Sequence, residues 1–307
     1  MQTMSEGYES AIRCLPPALR AEAGRLDASA RARAEELRFR VGQPLTVMLA
    51  GRAYYLCAGV LRPFGDPSGL PRLTPQDLDA LFGALCRYSV HAFAEQLRQG
   101  YVTVRGGHRA GFGGTAAVEN GQVVSLRRAS SVDLRIARDV PGAADGVLAG
   151  WSPTDGGLLL VGPPGSGKTT VLRDLARRLP PRVERIALVD ERGELSGMTE
   201  DGPALDVGPA ADVLTGFPKA EGILAALRAL SPELIVCDEL GGEADAAALR
   251  AGVNAGVTFA ASVHAGSWDE ARRRPQVRML LETGGFARAA ILDPKRRGVL
   301  LGWEALG

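Results

Sequence analysis

Apolar and polar positions follow two regimes along this chain, and the change falls near Gly150. In the first regime, residues 8–35 carry a helical pattern interrupted by Pro16-Pro17. Short β-type runs follow at 37–41, 45–49 and 53–57, and residues 62–73, rich in Pro and Gly, read as a loop. Thr74 followed by Pro75 is an N-cap with proline at the first helical position. Leu78, Leu81, Phe82 and Leu85 continue that helix at helical spacing. It is expected to break near Ser89, resume to Arg98 and end at Gly100. A strand over 101–105 leads into a glycine-dense loop at 106–114. Residues 115–118 and 122–126 then alternate as strands around Asn120-Gly121, a favoured pair for a tight hairpin turn. Residues 132–136 form a further strand.

Residues 141–155 hold a short helix between prolines and glycines. In the second regime, continuous apolar runs at 157–161, 186–189, 234–237 and 258–263 alternate with helical patterns. Such runs suit strands buried on both faces of a parallel sheet. A last pair, 289–292 and 298–303, reads as a closing hairpin. The expected fold class is α/β: a mixed α+β N-terminal domain over residues 1–150, then a second α/β domain over 151–307.

The composition fits that division. The chain has 307 residues, 46% hydrophobic and 23% charged, enough for two packed cores. Thirty-six basic residues face 35 acidic ones, a net charge of +1, which argues against wholesale electrostatic binding of nucleic acid or anionic membrane. Cys14, Cys57, Cys86 and Cys237 lie far apart and form no zinc pattern, in keeping with a reducing compartment. The first residues lack the layout of a signal peptide. No apolar run approaches the ~20 residues of a membrane span. A soluble protein is expected, attached to a membrane only through a partner.

The chemistry begins at Gly162-Pro163-Pro164-Gly165-Ser166-Gly167-Lys168-Thr169, a full G-x-x-x-x-G-K-[ST] match between an apolar strand and a helix. Glycines there let consecutive N–H groups point at phosphate oxygens, and the helix N-terminus adds partial positive charge. Lys168 is expected on the β/γ-phosphates and the Thr169 hydroxyl on Mg²⁺, with Thr170 beside them among the nucleotide-binding residues. This makes the second domain a RecA-like P-loop NTPase with ATP and Mg²⁺ as cofactors. The apolar run 234–237 ends in Asp238-Glu239, where Asp238 would hold Mg²⁺ and Glu239 would polarise the attacking water. The run 258–263 ends at His264, whose strand is expected between the acid-pair strand and the phosphate-loop strand, facing the γ-phosphate. Asp190-Glu191-Arg192 closes the run 186–189. Glu191 or Asp190 would contact the metal's water shell or the nucleophile, and Arg192 a phosphate of its own or a neighbouring subunit.

Several stretches carry a family resemblance over nearly the whole chain. They include Gly106-Gly107-His108-Arg109-Ala110-Gly111, Ser130-Ser131-Val132-Asp133-Leu134-Arg135, Val189-Asp190-Glu191-Arg192 and Phe217-Pro218-Lys219-Ala220-Glu221-Gly222. With these, the chain resembles the stage III sporulation protein AA family, relatives of the type II and type IV secretion (pilus motor) ATPases. The resemblance implies a cytoplasmic ATPase, docked through channel proteins on the membrane between mother cell and forespore, and a homo-oligomeric ring, a hexamer. It also makes Asp190-Glu191 an aspartate box, Asp238-Glu239 the Walker B acids and His264 a histidine box. Gly193, the stretch Leu240-Gly241-Gly242-Glu243 and Ala265 depart from the motor pattern without removing a catalytic group.

Arg105, Arg109, Arg127, Arg128, Arg135 and Arg138 cluster in the N-terminal half. A planar guanidinium binds two phosphate oxygens at once, and Arg109, among glycines that allow close approach, is the first choice to complete the ATP site. His108 reads as a turn histidine and Arg272-Arg273-Arg274 as a solvated helix face. Two rival functions stay open: a nucleic-acid-binding P-loop regulator, against which stand the near-neutral charge and the lack of an aromatic platform, and a nucleotide-gated scaffold with little turnover.

Overall fold

The computed structural model describes residues 4–89, 93–119, 121–199 and 202–306. The chain divides into two compact units, Met1–Arg138 with Gly197–Ala204, and Asp139–Ser196 with Leu205–Gly307.

Three short helices open the first unit, α1 (Met4–Arg13), α2 (Pro17–Ala23) and α3 (Ala28–Arg33). The helical stretch expected over 8–35 is therefore cut twice. Pro16 holds the extended N-cap of α2, and Asp27 starts α3 by accepting the Ala30 N–H at 2.9 Å. Strands β1 (Ala34–Arg40), β2 (Thr46–Leu49), β3 (Arg52–Cys57) and β4 (Val60–Pro63) follow, then α4 (Pro75–Leu85), α5 (Ala94–Arg98), β5 (Tyr101–Val104), β6 (His108–Glu119) and β7 (Gln122–Arg135). Thr74 caps α4 as expected: its hydroxyl accepts the Asp77 N–H at 3.2 Å, and the Asp77 carboxylate accepts the Thr74 N–H at 2.8 Å. The break expected near Ser89 reaches residues 90–92, and the expected turn includes Asn120; both lie outside the described residues.

The seven strands form one antiparallel sheet in the order β4-β3-β2-β1-β7-β6-β5. Leu37, Phe39, Val102, Ala110, Val132 and Leu134 are fully buried in its core. The glycine-dense segment expected as a loop is a strand from His108 onward, pairing Arg109 with Arg135 and Gly113 with Ser131 across β6 and β7. The ladder itself supplies its hydrogen bonds, and the register shifts at Gly113/Gly114, where glycine tolerates a bulge. The separately expected strands at 122–126 and 132–136 are one strand, β7.

His108 is buried at the start of β6, and its Nδ1 accepts the Ala137 N–H at 3.0 Å. The ring proton therefore sits on Nε2. Burial, helped by the nearby Arg138 charge, pushes its pKa down to about 4. An unfolded histidine titrates near 6.5, so between these values the unfolded chain takes up more protons and stability falls as pH drops. We expect this residue to remove up to about 3 kcal/mol on acidification through that window. Urea unfolding of wild type and His108→Asn, which keeps an acceptor for Ala137, checks it. The wild type should lose more stability than the variant between pH 6.5 and 4.5, and an equal loss would contradict neutral burial.

The second unit begins with α6 (Asp145–Leu148), β8 (Leu158–Gly162), α7 (Lys168–Arg178) and β9 (Ile186–Asp190). The chain then supplies the first unit with a two-stranded hairpin, β10 (Met198–Thr199) and β11 (Gly202–Pro203). Gly197, with φ 59°, enters that hairpin; a Cβ there would lie 2.8 Å from the Gly107 backbone, so only glycine fits. The second unit resumes with β12 (Ala211–Thr215), α8 (Lys219–Ala229), β13 (Leu234–Cys237), α9 (Glu243–Asn254), β14 (Thr258–His264), α10 (Trp268–Ala271), α11 (Pro275–Leu281), β15 (Arg288–Leu292) and β16 (Leu300–Ala305).

Its sheet has the order β12-β9-β13-β14-β8-β15-β16, parallel throughout except for the β15–β16 hairpin. Every residue of β8, β9 and β13 is buried. Leu159 and Val161 enter one apolar layer, while Leu158 and Leu160 enter the other. Two covered faces explain the continuous apolar runs. Strand β14 lies between β13 and β8, as expected. Among the described residues, no helix is long and apolar enough to cross a membrane.

Candidate active site

Parallel pairing brings the ends of β8, β9, β13 and β14 to one edge of the sheet, where His264 pairs opposite Gly162. Crevices at such carboxyl ends are where open α/β sheets bind ligands. Beyond β8 the chain turns through Pro163, Pro164, Gly165, Ser166 and Gly167 into α7, which begins at Lys168, Thr169 and Thr170. Gly167 is the N-cap of α7 in the left-handed region, φ 94°, and a Cβ on it would meet the Gly298 nitrogen at 2.7 Å. No side chain caps α7, so its first-turn N–H groups and partial positive charge face the loop. The Gly298 N–H ties the loop down by donating to the Ser166 carbonyl at 2.8 Å.

The Lys168 ammonium donates to the Gly162 carbonyl at 2.9 Å, the Pro163 carbonyl at 3.1 Å and His264 Nδ1 at 2.8 Å. Burial lowers its pKa, opposed by the Asp238 and Glu239 charges. Because an ammonium only donates, His264 Nδ1 must accept. Its Nε2–H then donates to Glu239 Oε1. Glu239 Oε2 accepts from Arg192 at 2.7 Å. Burial alone would raise the Glu239 pKa, but the His264 hydrogen bond and the Arg192 charge outweigh it and hold the carboxyl below its ordinary value. Glu239 has φ 52°, a left-handed backbone that costs a non-glycine residue about 1–3 kcal/mol. That turn carries its carboxylate to His264 and Arg192.

Asp238 accepts from the Thr169 hydroxyl at Oδ2 and from the Ser262 hydroxyl at Oδ1. Glu191 pairs with Lys219 at 3.1 Å, and both line one cleft with Arg192, Asp238 and Glu239. Asp190 is otherwise engaged. It is buried and accepts from the Leu195 N–H at 3.1 Å, the Ser196 N–H at 2.8 Å and the Ser196 hydroxyl at 2.7 Å. Both carboxylates considered for the water shell line the cleft; the Asp190 oxygens are taken up in folding the loop after β9, and Glu191 is paired with Lys219. Arg109 belongs to the first unit, as do the other N-terminal candidate arginines, its guanidinium 3.8 Å from the centroid of the Tyr101 ring; the phosphate-loop residues, Glu191, Asp238, Glu239 and His264 belong to the second. Arg135 pairs with Glu36 at 3.0 Å, and Arg138 donates to the Arg31 carbonyl at 2.7 Å.

Sequence reasoning missed Ser262, Lys219 and Arg173. Lys219 stands in a stretch that carried the family resemblance without a role. Arg173, buried in α7, donates to the Leu195 and Glu194 carbonyls, each at 2.6 Å, and braces the same loop as Asp190.

The residues fit a nucleotide phosphate. The Ser166 hydroxyl is buried without a partner, beside a helix start whose N–H groups no side chain caps. Thr169 and Asp238 offer the hard oxygens Mg²⁺ prefers. Among the described residues, no group of three or more His, Cys, Asp and Glu could hold a metal ion.

The family model "Sporulation stage III, protein AA" matches residues 12–303. Stage III sporulation protein AA of Bacillus subtilis (strain 168) is 37% identical over 268 residues, covering 83% of this chain and 80% of that protein. Among solved structures, the chain is similar to the Legionella pneumophila ATPase DotB, with TM-score 0.53 and 17% identity over 84% of this chain and 72% of that one. It is similar also to the pilus retraction motor PilT with bound ADP, with TM-score 0.53 and 19% identity over 84% of this chain and 74% of that one. Those two likenesses show the fold, a mixed α/β chain with a RecA-like P-loop unit. The family match and the Bacillus relative together establish that this chain belongs to the sporulation stage III, protein AA family.

Proposed function

We propose that this protein is a Mg²⁺-dependent ATPase whose turnover energises a secretion-like membrane channel during endospore formation. The observation that carries the reading is the joined set Thr169–Asp238 and His264–Glu239–Arg192 at the mouth of the phosphate loop. Bound Mg²⁺ would neutralise phosphate charge as it develops. Lys168 would exchange its carbonyl and His264 contacts for β/γ-phosphate oxygens, while Thr169 and Asp238 hold the metal. Glu239, kept ionised by His264 and Arg192, would orient the attacking water and take its proton. Glu191 is assigned to that water's surroundings. We further propose a homo-oligomeric ring, a hexamer, held at the cytoplasmic face of the membrane by channel proteins.

The test is Mg·ATP hydrolysis by the purified protein as a function of its own concentration. Specific activity should rise with concentration and vanish in EDTA. Tight nucleotide binding with negligible turnover at every concentration would overturn the ATPase and leave a nucleotide-gated scaffold.

A further inference from the structure

We propose that Ser262 is a positioning residue that aims both acids of the site and so sets its Mg²⁺ requirement; this rests on the Mg·ATPase reading above. Strands β13 and β14 pair in parallel with Cys237 opposite Ala261. The residue that follows Cys237, just past the end of β13, is Asp238, and the one that follows Ala261 within β14 is Ser262. Ser262 is fully buried, and its hydroxyl and carbonyl are engaged by the turn that follows β13. The hydroxyl donates to Asp238 Oδ1 and accepts the Glu239 N–H at 3.1 Å, while the Ser262 carbonyl accepts the Leu240 N–H at 3.0 Å.

One serine thus holds Asp238, Glu239 and Leu240 in succession. A hydroxyl has a single proton, and the Glu239 N–H already occupies its acceptor side, so the O–H must point at Asp238. With Thr169 on the other oxygen, the Asp238 carboxylate is fixed at both ends and its free lone pairs keep one direction. The left-handed turn at Glu239 swings that residue's N–H out of the strand ladder, and Ser262 supplies the acceptor it needs. Alanine at this position would take a partner from a partly buried carboxylate oxygen and a partly buried N–H while changing little in volume. The metal-binding acid and the water-orienting acid therefore share one support from the neighbouring strand.

The experiment measures affinity for a non-hydrolysable ATP analogue across Mg²⁺ concentrations, from EDTA upward, in wild type, Ser262→Ala and Ser262→Thr, with kcat alongside. Partners of metal ligands typically change metal affinity or activity by about 10- to 100-fold when lost. We expect the Mg²⁺ midpoint of Ser262→Ala to rise and its kcat to fall by amounts in that range. Its affinity in EDTA should stay at the wild-type value, reporting an intact phosphate loop. Ser262→Thr, which keeps the hydroxyl, should restore both. A wild-type Mg²⁺ midpoint and kcat in Ser262→Ala would overturn the inference alone. Wild-type protein whose analogue affinity ignores Mg²⁺ would overturn the Mg·ATPase reading and this inference with it.

Discussion

Glu239→Gln should bind ATP about as well as wild type and turn it over roughly 10²–10⁴-fold more slowly, the usual contribution of a positioned base. The amide has the same length and the same backbone requirement, so the left-handed turn at residue 239 is no more strained than before. Its oxygen can still accept from His264 Nε2. What disappears is the charge that Arg192 and His264 converge on, and with it any capacity to take a proton from water. Among the described residues, the hydrogen bonds of the Glu239 side chain go to His264 and Arg192 and none to the phosphate loop. Binding should therefore survive. Parallel measurement of ATP affinity and single-turnover hydrolysis separates the two effects, and near-normal hydrolysis in the variant would remove Glu239 from the reaction.

Lys168→Ala is expected to fail at the earlier step. Hydrogen bonds to charged groups are individually worth about 1.5–3 kcal/mol, so losing an ammonium that meets two phosphates should weaken nucleotide binding by on the order of 100-fold or more. The substitution also strips the donor shared by the Gly162 and Pro163 carbonyls and His264. The two carbonyls keep backbone donors, the Ala265 N–H at 3.3 Å and the Ser166 N–H at 3.2 Å, so of these acceptors His264 Nδ1 alone loses its donor and the melting temperature should fall only slightly. Calorimetric titration with a non-hydrolysable ATP analogue, beside a thermal melt, checks both. A folded variant with unchanged affinity would show that Lys168 is not the phosphate ligand.

How much of this was legible in the sequence depends on whether the signal is local. The phosphate loop occupies consecutive residues and requires particular ones, so its chemistry reads directly. Asp238-Glu239 and His264 read nearly as well, because each follows an apolar run that only a doubly covered strand needs. Ser262 does not: its role depends on the register between β13 and β14, which no spacing within one strand reveals. Residues 106–114 looked like a loop because glycine is rare in strands, yet long β6–β7 pairing outweighs that local preference. Strand β12 escaped notice because it lies at the sheet edge and is only partly buried, so it lacks the continuous apolar run of its neighbours. Asp190 and Glu191 both line the cleft, and what tells them apart is the following loop, whose N–H and hydroxyl groups take up the Asp190 oxygens.

The hairpin of Gly197–Ala204 has a further consequence. Although it is encoded within the stretch that builds the parallel sheet, it belongs to the first unit. The chain therefore passes between units after Arg138, after Ser196 and after Ala204. The halves are laced together, not strung like beads. A nick after Ser196 or after Ala204 leaves residues 1–138 covalently joined to residues 139–196, whereas a nick after Arg138 leaves residues 1–138 with no covalent link to the second unit. A gene fragment ending at Arg138 would encode a first unit without the segment that packs on Gly107. Recombination could not trade either half as a self-contained cassette, and that topological bond ties the inheritance of one unit to the other.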